Sequence, residues 1–330
     1  MCADTADDVS SDLDQKRRNL EWYFATFLTE YLKATGDFSF SVDIFNHIYD
    51  ALEEYVYATD PFDGIWFVQL RNLTSDVDTI RVDQNIYVRR AMYEEKVDAI
   101  RKTSNPRSLT MPDVPEFFLD IHEPIDRAML IKSAPSPQEA MSMAQGVVLA
   151  LRLLKANPVG IASYLWRIPN QPFVFYGGMS YPMALRHLDY RGDPYHITQE
   201  DANALPKLWT KLKKTYNKTE LSTVITRFED SYTRTKQQDK LIDYWTALEA
   251  LFFLEDEFQD MGKSLALAAS YYLGRTTSKR STIYNDLTRS HTVRSIYIHG
   301  ERKTPKYPLD EMVTKTGTHL RNALRKRIEE

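Results

Sequence analysis

The sequence predicts an α+β protein, mostly α, in which a mixed α/β N-terminal region precedes an all-helical bundle. Three observations carry this. Between residues 64 and 90 short runs rich in apolar residues, the last of them alternating, are separated by turn residues and read as strands. From residue 198 onward apolar residues recur at three- and four-residue spacing, the period of amphipathic helices. A turn-rich stretch, Tyr190–Tyr195, separates the two textures. The expected organisation is a polar, acidic and disordered tail over 1–12, a mixed region over 13–195, and a helical domain over 196–330.

A helix is expected from Leu13 to about Lys33 through Leu20, Phe24, Phe27 and Tyr31, ended by Gly36. A second runs from Val42 to Tyr57. Gly64–Leu70 and Thr79–Val82 read as strands, Asp83–Asn85 as a turn, and Ile86–Arg90 as the returning strand. Phe117–Ile121 reads as another. Ser136-Pro-Gln-Glu139 has capping-box spacing with proline at the first helical position, and opens a helix to about Ala156. Ala162–Ile168 and Phe173–Tyr176 complete a small sheet. Thr198-x-x-Asp201 caps a helix to about Tyr216. Helices follow over Leu221–Lys236, Lys240–Glu255 and Gly262–Leu273. A short helix over Lys279–Arg289 is expected to precede a separate one that carries Arg294 and His299. The last runs from Asp310 to the end.

Composition narrows the function classes. A single cysteine, Cys2, excludes an internal disulfide and suits a reducing cytoplasm. No apolar run is long enough for a membrane span, and the acidic first residues are no secretory leader. Zinc-ligand spacing, a phosphate-binding glycine loop and a nucleophile elbow are all missing, so neither metal nor cofactor is expected. The formal net charge is −4, unevenly spread: Arg275–Glu330 holds 13 Lys+Arg against 6 Asp+Glu, a net of +7, leaving −11 elsewhere. A basic end on an acidic body fits a polyanionic partner, and equally fits a solvated helix surface.

One stretch pairs a permanent cation with a titratable imidazole: Thr292-Val-Arg294-Ser-Ile-Tyr-Ile-His299-Gly300. Five residues apart on a helix, Arg294 and His299 point about 140° apart. Val293, Ile296 and Tyr297 share a side and would pack inward. Gly300 suits the position after a helix end, which puts His299 beside the last carbonyls. A second Arg/His spacing, Arg191-Gly-Asp-Pro-Tyr-His196, contains turn residues and reads as a decoy.

Four ordered blocks resemble the Apea-like group of the HEPN superfamily. They are Ile225-Thr-Arg-Phe-Glu-Asp-Ser-Tyr232, Asp239-Lys-Leu-Ile-Asp-Tyr-Trp-Thr-Ala-Leu-Glu-Ala-Leu-Phe252, Lys263-Ser-Leu-Ala-Leu-Ala-Ala269 and Val293-Arg-Ser-x-x-x-His-Gly300. A looser similarity lies at Gln69–Leu73 and Ile86–Arg90. The resemblance implies a homodimer of helical bundles with metal-independent endoribonuclease activity, of the kind found in toxin–antitoxin, abortive-infection and antiviral defence systems. An antitoxin or a phage-derived trigger is then an expected partner, and the N-terminal region would sense, restrain or select substrate. The family motif of Arg, a polar residue and His falls on Arg294, Ser295 and His299, with Ser where Asn, Asp or His is commoner. The alternative is an inactive HEPN module that binds RNA or a protein.

The chemistry is consistent with that reading. RNA carries its own nucleophile, the 2′-OH beside the phosphate. Imidazole moves protons near neutral pH, and guanidinium forks onto two phosphate oxygens. A twofold dimer would supply two of each around one groove. Glu249, in the apolar context Ala247-Leu-Glu-Ala-Leu251, is expected to be partly buried and to orient Arg294 or His299, or else to sit at the edge of the stripe. Ser295 either bonds the His299 ring or bonds back to the preceding turn. Asp243 is a weaker supporting candidate, better suited to a cap or a salt bridge. His291 is expected to cap the start of the site helix, and His319 to be structural or exposed. Lys303, Lys306, Arg321, Arg325, Lys326 and Arg327 are the candidates to track an RNA backbone.

Overall fold

The computed structural model describes residues 24–57 apart from 26, 29, 33 and 38, then 65–91, 127–132, 137–167 apart from 157, 194–215, 219–252, 261–300 and 304–330. The strands expected over 117–121 and 173–176, the tail over 1–12, Arg191 and Lys303 lie outside the described residues. The architecture is α+β and mostly α. Contacts divide it into two compact units, Met1–Trp66 with Leu165–Ser180, and Phe67–Tyr164 with Tyr181–Glu330. The boundary expected near 195 falls inside the second.

In the first unit, helical residues between 24 and 35 end at Gly36, whose φ of 73° is open to glycine at no cost in strain. Helix α1 (Val42–Tyr57) follows at the predicted bounds. Phe27, Tyr31 and Ile48 form the buried centre, with Phe27 edge-on to Phe45 at 5.1 Å between centroids.

The second unit holds a helical bundle and most of a sheet, residues 65–66 and 165–167 belonging to the first. Strands β1 (Ile65–Arg71), β3 (Thr79–Arg81), β4 (Ile86–Arg90), β5 (Arg127–Lys132) and β6 (Gly160–Arg167) lie in the order β3-β4-β5-β1-β6. The β3–β4 and β4–β5 pairs are antiparallel. A two-stranded parallel pair joins β2 (Leu73–Ser75) to β7 (Tyr195–Ile197). The turn between β3 and β4 forms as its sequence predicts. Asp83 Oδ1 accepts from the N–H groups of Asn85 at 2.7 Å and Ile86 at 2.9 Å. Asn72 takes φ 55° between β1 and β2, a conformation asparagine tolerates better than most residues.

β2, β5 and β7 are strands that sequence periodicity did not predict. β5 hides behind its first residue, a fully buried arginine. Arg127 Nη1 donates to the carbonyls of Val77 at 2.8 Å and Asp78 at 3.1 Å, and Nη2 to that of Ser75. It thereby ties the start of β5 to three carbonyls between the end of β2 and the start of β3.

The helices are α2 (Pro137–Leu154), α3 (Gln199–Thr215), α4 (Thr219–Ser231), α5 (Gln237–Phe252), α6 (Met261–Leu273), α7 (Thr277–Ile298) and α8 (Leu309–Glu329). Among the described residues no helix is long and apolar enough to cross a membrane. Thr198 and Asp201 cap α3 reciprocally: Asp201 Oδ2 accepts from Thr198 N–H at 3.0 Å, and Thr198 Oγ1 accepts from Asp201 N–H at 3.4 Å. Trp209 of α3 fits over Gly146 of α2, where a Cβ would meet its ring at 2.6 Å. Its Nε1–H donates to Asp83 Oδ2 at 2.9 Å, tying α3 to the sheet. Burial works against the Asp83 carboxylate, yet these bonds and Lys213 together hold it below the usual range.

α7 corrects the expectation of two helices: it is one helix of 22 residues. Its inward positions are Ile283, Asp286, Leu287, Ser290 and Val293. Two of these five are polar, so the apolar stripe looks interrupted in sequence. Each is satisfied in the fold. His319 of α8 meets Asp286 at 3.1 Å, and Ser290 Oγ accepts from Trp245 Nε1–H at 2.9 Å and lies 2.6 Å from Thr316 Oγ1.

Arg127→Met keeps the volume and removes the donors. It is expected to lower the unfolding free energy by about 3 kcal/mol, read as a fall in the urea midpoint. An unchanged midpoint would show that the three carbonyls do not depend on this side chain.

Candidate active site at the end of helix α7

Helix α7 positions the two central residues. Thr276 is its N-cap, and the helix stops because Gly300 turns left-handed at φ 63°. Open space surrounds Gly300, so the need for glycine there is conformational. His299 is the C-cap at φ −84° and ψ 0°, and its N–H donates to Ser295 O at 3.0 Å. Its side chain is exposed, and among the described residues its ring has no hydrogen-bonding or ionic partner.

Arg294 lies five residues earlier and is held. Its Nη2 is 3.1 Å from Glu249 Oε1 and 3.4 Å from Oε2, with both side chains mostly withdrawn from water. Its Cζ sits 5.9 Å from the centroid of Trp245. Glu249 and Trp245 are one turn apart on α5, so a single helix face supplies both contacts. Glu249 occupies one end of the guanidinium, while Arg294 Nε is enclosed and has no acceptor among the described residues. Burial raises the Glu249 carboxyl above its usual range, and the charge of Arg294 opposes that rise. Of the two roles expected for Glu249, the contact to Arg294 is the one present.

Ser295 is half-buried, and its hydroxyl makes neither of the bonds expected of it among the described residues. Asp243 is buried and faces another way. Arg234 Nε is 2.6 Å from its Oδ2, and Arg227 Nη1 is 3.3 Å from its Oδ1. It joins α5 to α4 and to the turn after α4, the salt-bridge role, and does not reach Arg294 or His299. His291 does not cap a helix start. It lies inside α7, edge-on to Trp245 at 5.0 Å and against Gly262, where a Cβ would meet its ring at 2.5 Å. His196, of the decoy spacing, sits in β7 between Asp76 and Thr74, each at 3.0 Å.

Trp245 is the residue that sequence reasoning passed over. It touches Arg294, His291 and Ser290 at once, and its position four residues before Glu249 was the available signal.

The basic residues of the C-terminal third divide. Lys306 and Arg327 are exposed. Arg325 pairs with Glu329 at 2.9 Å, and Lys326 donates to the Tyr272 carbonyl at 2.6 Å while lying 4.1 Å over its ring. Contacts of this surface kind are weak and exchangeable. Arg321 is half-buried near Tyr232, with its Nε enclosed.

Compared with known proteins, the chain matches no protein family, no curated protein and no solved structure.

A double-mutant cycle tests the Arg294–Glu249 pair. Glu249→Gln and Arg294→Gln are each expected to destabilise the fold, and to be coupled by about 1 kcal/mol in chemical denaturation. Additive effects would mean that the two side chains do not support one another.

Proposed function

We propose that the chain is a metal-independent endoribonuclease of the HEPN type. It works as a homodimer and serves as a toxin-like effector of antiviral defence in the cytoplasm. The observation that carries this reading is the contrast within one turn and a half of α7. Glu249 and Trp245 fix a guanidinium, and beyond it an exposed imidazole stands with no partner among the described residues. One group is preorganised and the other is available, the division of labour that phosphate-directed acid–base chemistry needs.

In this reading the imidazole of His299 takes the proton of a ribose 2′-OH. The 2′-oxygen attacks the adjacent phosphorus, the bond to the 5′-oxygen breaks, and that oxygen receives a proton from the protonated imidazole of the second copy's His299. The products are a 2′,3′-cyclic phosphate and a 5′-OH. Arg294 opposes the charge that accumulates on the phosphoryl oxygens. The angle of about 140° between the two positions on one helix means that a single chain cannot easily aim both at one phosphate. His299 of one copy therefore acts with Arg294 of the other across the dimer axis. Lys306 and Arg327, both exposed, would extend the contact along the RNA backbone.

A second reading rests on Glu249. A carboxylate on Arg294 offsets the charge a phosphate would meet. If Glu249 does not yield, the module binds RNA or a protein without cutting.

Variants of the full chain separate the two. With single-stranded RNA in the presence of EDTA, His299→Ala and Arg294→Lys are each expected to lose at least about 100-fold in cleavage rate, with the circular dichroism of the fold retained. The lysine keeps the charge but loses the fork. Mixing the His299→Ala chain with the Arg294→Ala chain is expected to restore some cleavage through heterodimers. Cleavage by His299→Ala at the unaltered rate would refute the role of the imidazole. RNA binding without cleavage by the unaltered protein would establish the second reading.

A further inference from the structure

Away from α7, the sheet edge that is open among the described residues borders a groove of about 510 Å³. One wall is strand β3, the last in the order β3-β4-β5-β1-β6. The other is one face of α3, where Gln199, Asn203, Pro206 and Lys207 recur at helical spacing. We infer that this groove binds an extended peptide of a partner protein, added as a strand alongside β3, with a carboxylate side chain at the Arg81–Lys207 end. The inference concerns a surface apart from the nuclease reading and does not depend on it.

The backbone of β3 carries the argument. Arg90 N–H donates to Asp78 O at 3.2 Å, and Val82 N–H to Ile86 O at 2.9 Å. In an antiparallel pair alternate residues turn both polar groups to the partner strand. Asp78, Ile80 and Val82 therefore face β4, and Thr79 and Arg81 face away. Two N–H and two C=O groups line the groove in the spacing that an extended chain matches. At 3.3 Å per residue that edge accepts a strand of about three or four residues. The far wall suits the same occupant. Gln199 Nε2 donates to Asn203 Oδ1 at 3.2 Å, and this exposed pair keeps Oε1 as an acceptor and Nδ2 as a donor. Pro206 has no N–H, so the carbonyl of Ala202, another wall residue, lacks its usual helical donor.

Charge sets the peptide's chemistry and direction. Asp76 N–H bonds Ile197 O just before α3, and Asp83 bonds Trp209 farther along it. Strand and helix thus run the same way. Arg81 and Lys207 share one end, and Val77 and Gln199 share the other. Arg81 and Lys207 are the charged residues of the lining. The exposed Asp78 and Glu200 flank the opposite end and repel a carboxylate there. Nearby acids are otherwise engaged: Asp83 by Trp209 and Lys213, Asp201 by Lys155, and Asp76 by His196.

The test uses full-length protein, the capped peptide acetyl-Val-Val-Glu-Val-amide, its lysine counterpart, and oligouridine. Backbone amide resonances report the site. The glutamate peptide is expected to shift the amides of Thr79 and Arg81 at up to about 1 mM, the lysine peptide much less. Thr79→Pro removes one outward N–H at a position where an edge strand tolerates proline, and Lys207→Glu reverses one charge. Each is expected to weaken the glutamate peptide about fivefold or more. Four results would overturn the inference: no shift at Thr79 and Arg81, equal binding of the two peptides, affinity unchanged by Thr79→Pro, or oligouridine shifting the same amides in the peptide's place.

Discussion

The helical bundle is organised around a cation, Arg294, that is mostly withdrawn from water. A guanidinium is costly to withdraw from water without a partner. It must be paired, and the pairing dictates geometry. Glu249 and Trp245, one turn apart on α5, have to face α7 at the level of Arg294. The same tryptophan donates to Ser290, and Ser290 meets Thr316 of α8. One ionic contact and two buried hydroxyls thereby register three helices. Misplacing any of them leaves a charge or a polar group unsatisfied at a cost of about 1–3 kcal/mol each. That penalty discriminates between alignments that apolar packing alone would tolerate.

The sequence disclosed what is local and withheld what is not. The bounds of α1 and β4, the Asx turn at Asp83, the cap at Thr198 and the stop at Gly300 all rest on neighbours within a few residues, and all were readable. Splitting α7 in two was an error of a definite kind. Its inward face carries Asp286 and Ser290, whose partners His319, Trp245 and Thr316 lie 26 to 45 residues away. Without those partners the stripe reads as broken. β5 was missed for the same reason, because a buried arginine at its first position is intelligible only once the carbonyls of Ser75, Val77 and Asp78 are in place. At the site, Arg294, His299 and Glu249 were all named from sequence. The partners of Asp243 were not, since Arg227 and Arg234 approach it from α4 and the turn that follows.

The placement of charge shapes the proposed chemistry. Holding Arg294 through Nη2 spares a phosphate the entropy of ordering a long side chain, and leaves Nη1 without a protein partner among the described residues. The carboxyl of Glu249 belongs to the same compromise: burial raises it, and the charge of Arg294 opposes that rise. His299, just past the last turn and exposed, carries no comparable restraint. Such an arrangement lets a second copy complete the site without rebuilding either helix.

The most direct test of the central claim is the fate of one hydroxyl. An RNA with a mapped cut is resynthesised with a single 2′-deoxyribose on the 5′ side of the scissile phosphate and incubated with the unaltered protein. The account predicts that cleavage at that bond stops, that neighbouring sites are unaffected, and that the unmodified RNA yields 2′,3′-cyclic phosphate and 5′-OH ends. Cleavage persisting at the deoxy position, or products with a 5′-phosphate, would contradict it.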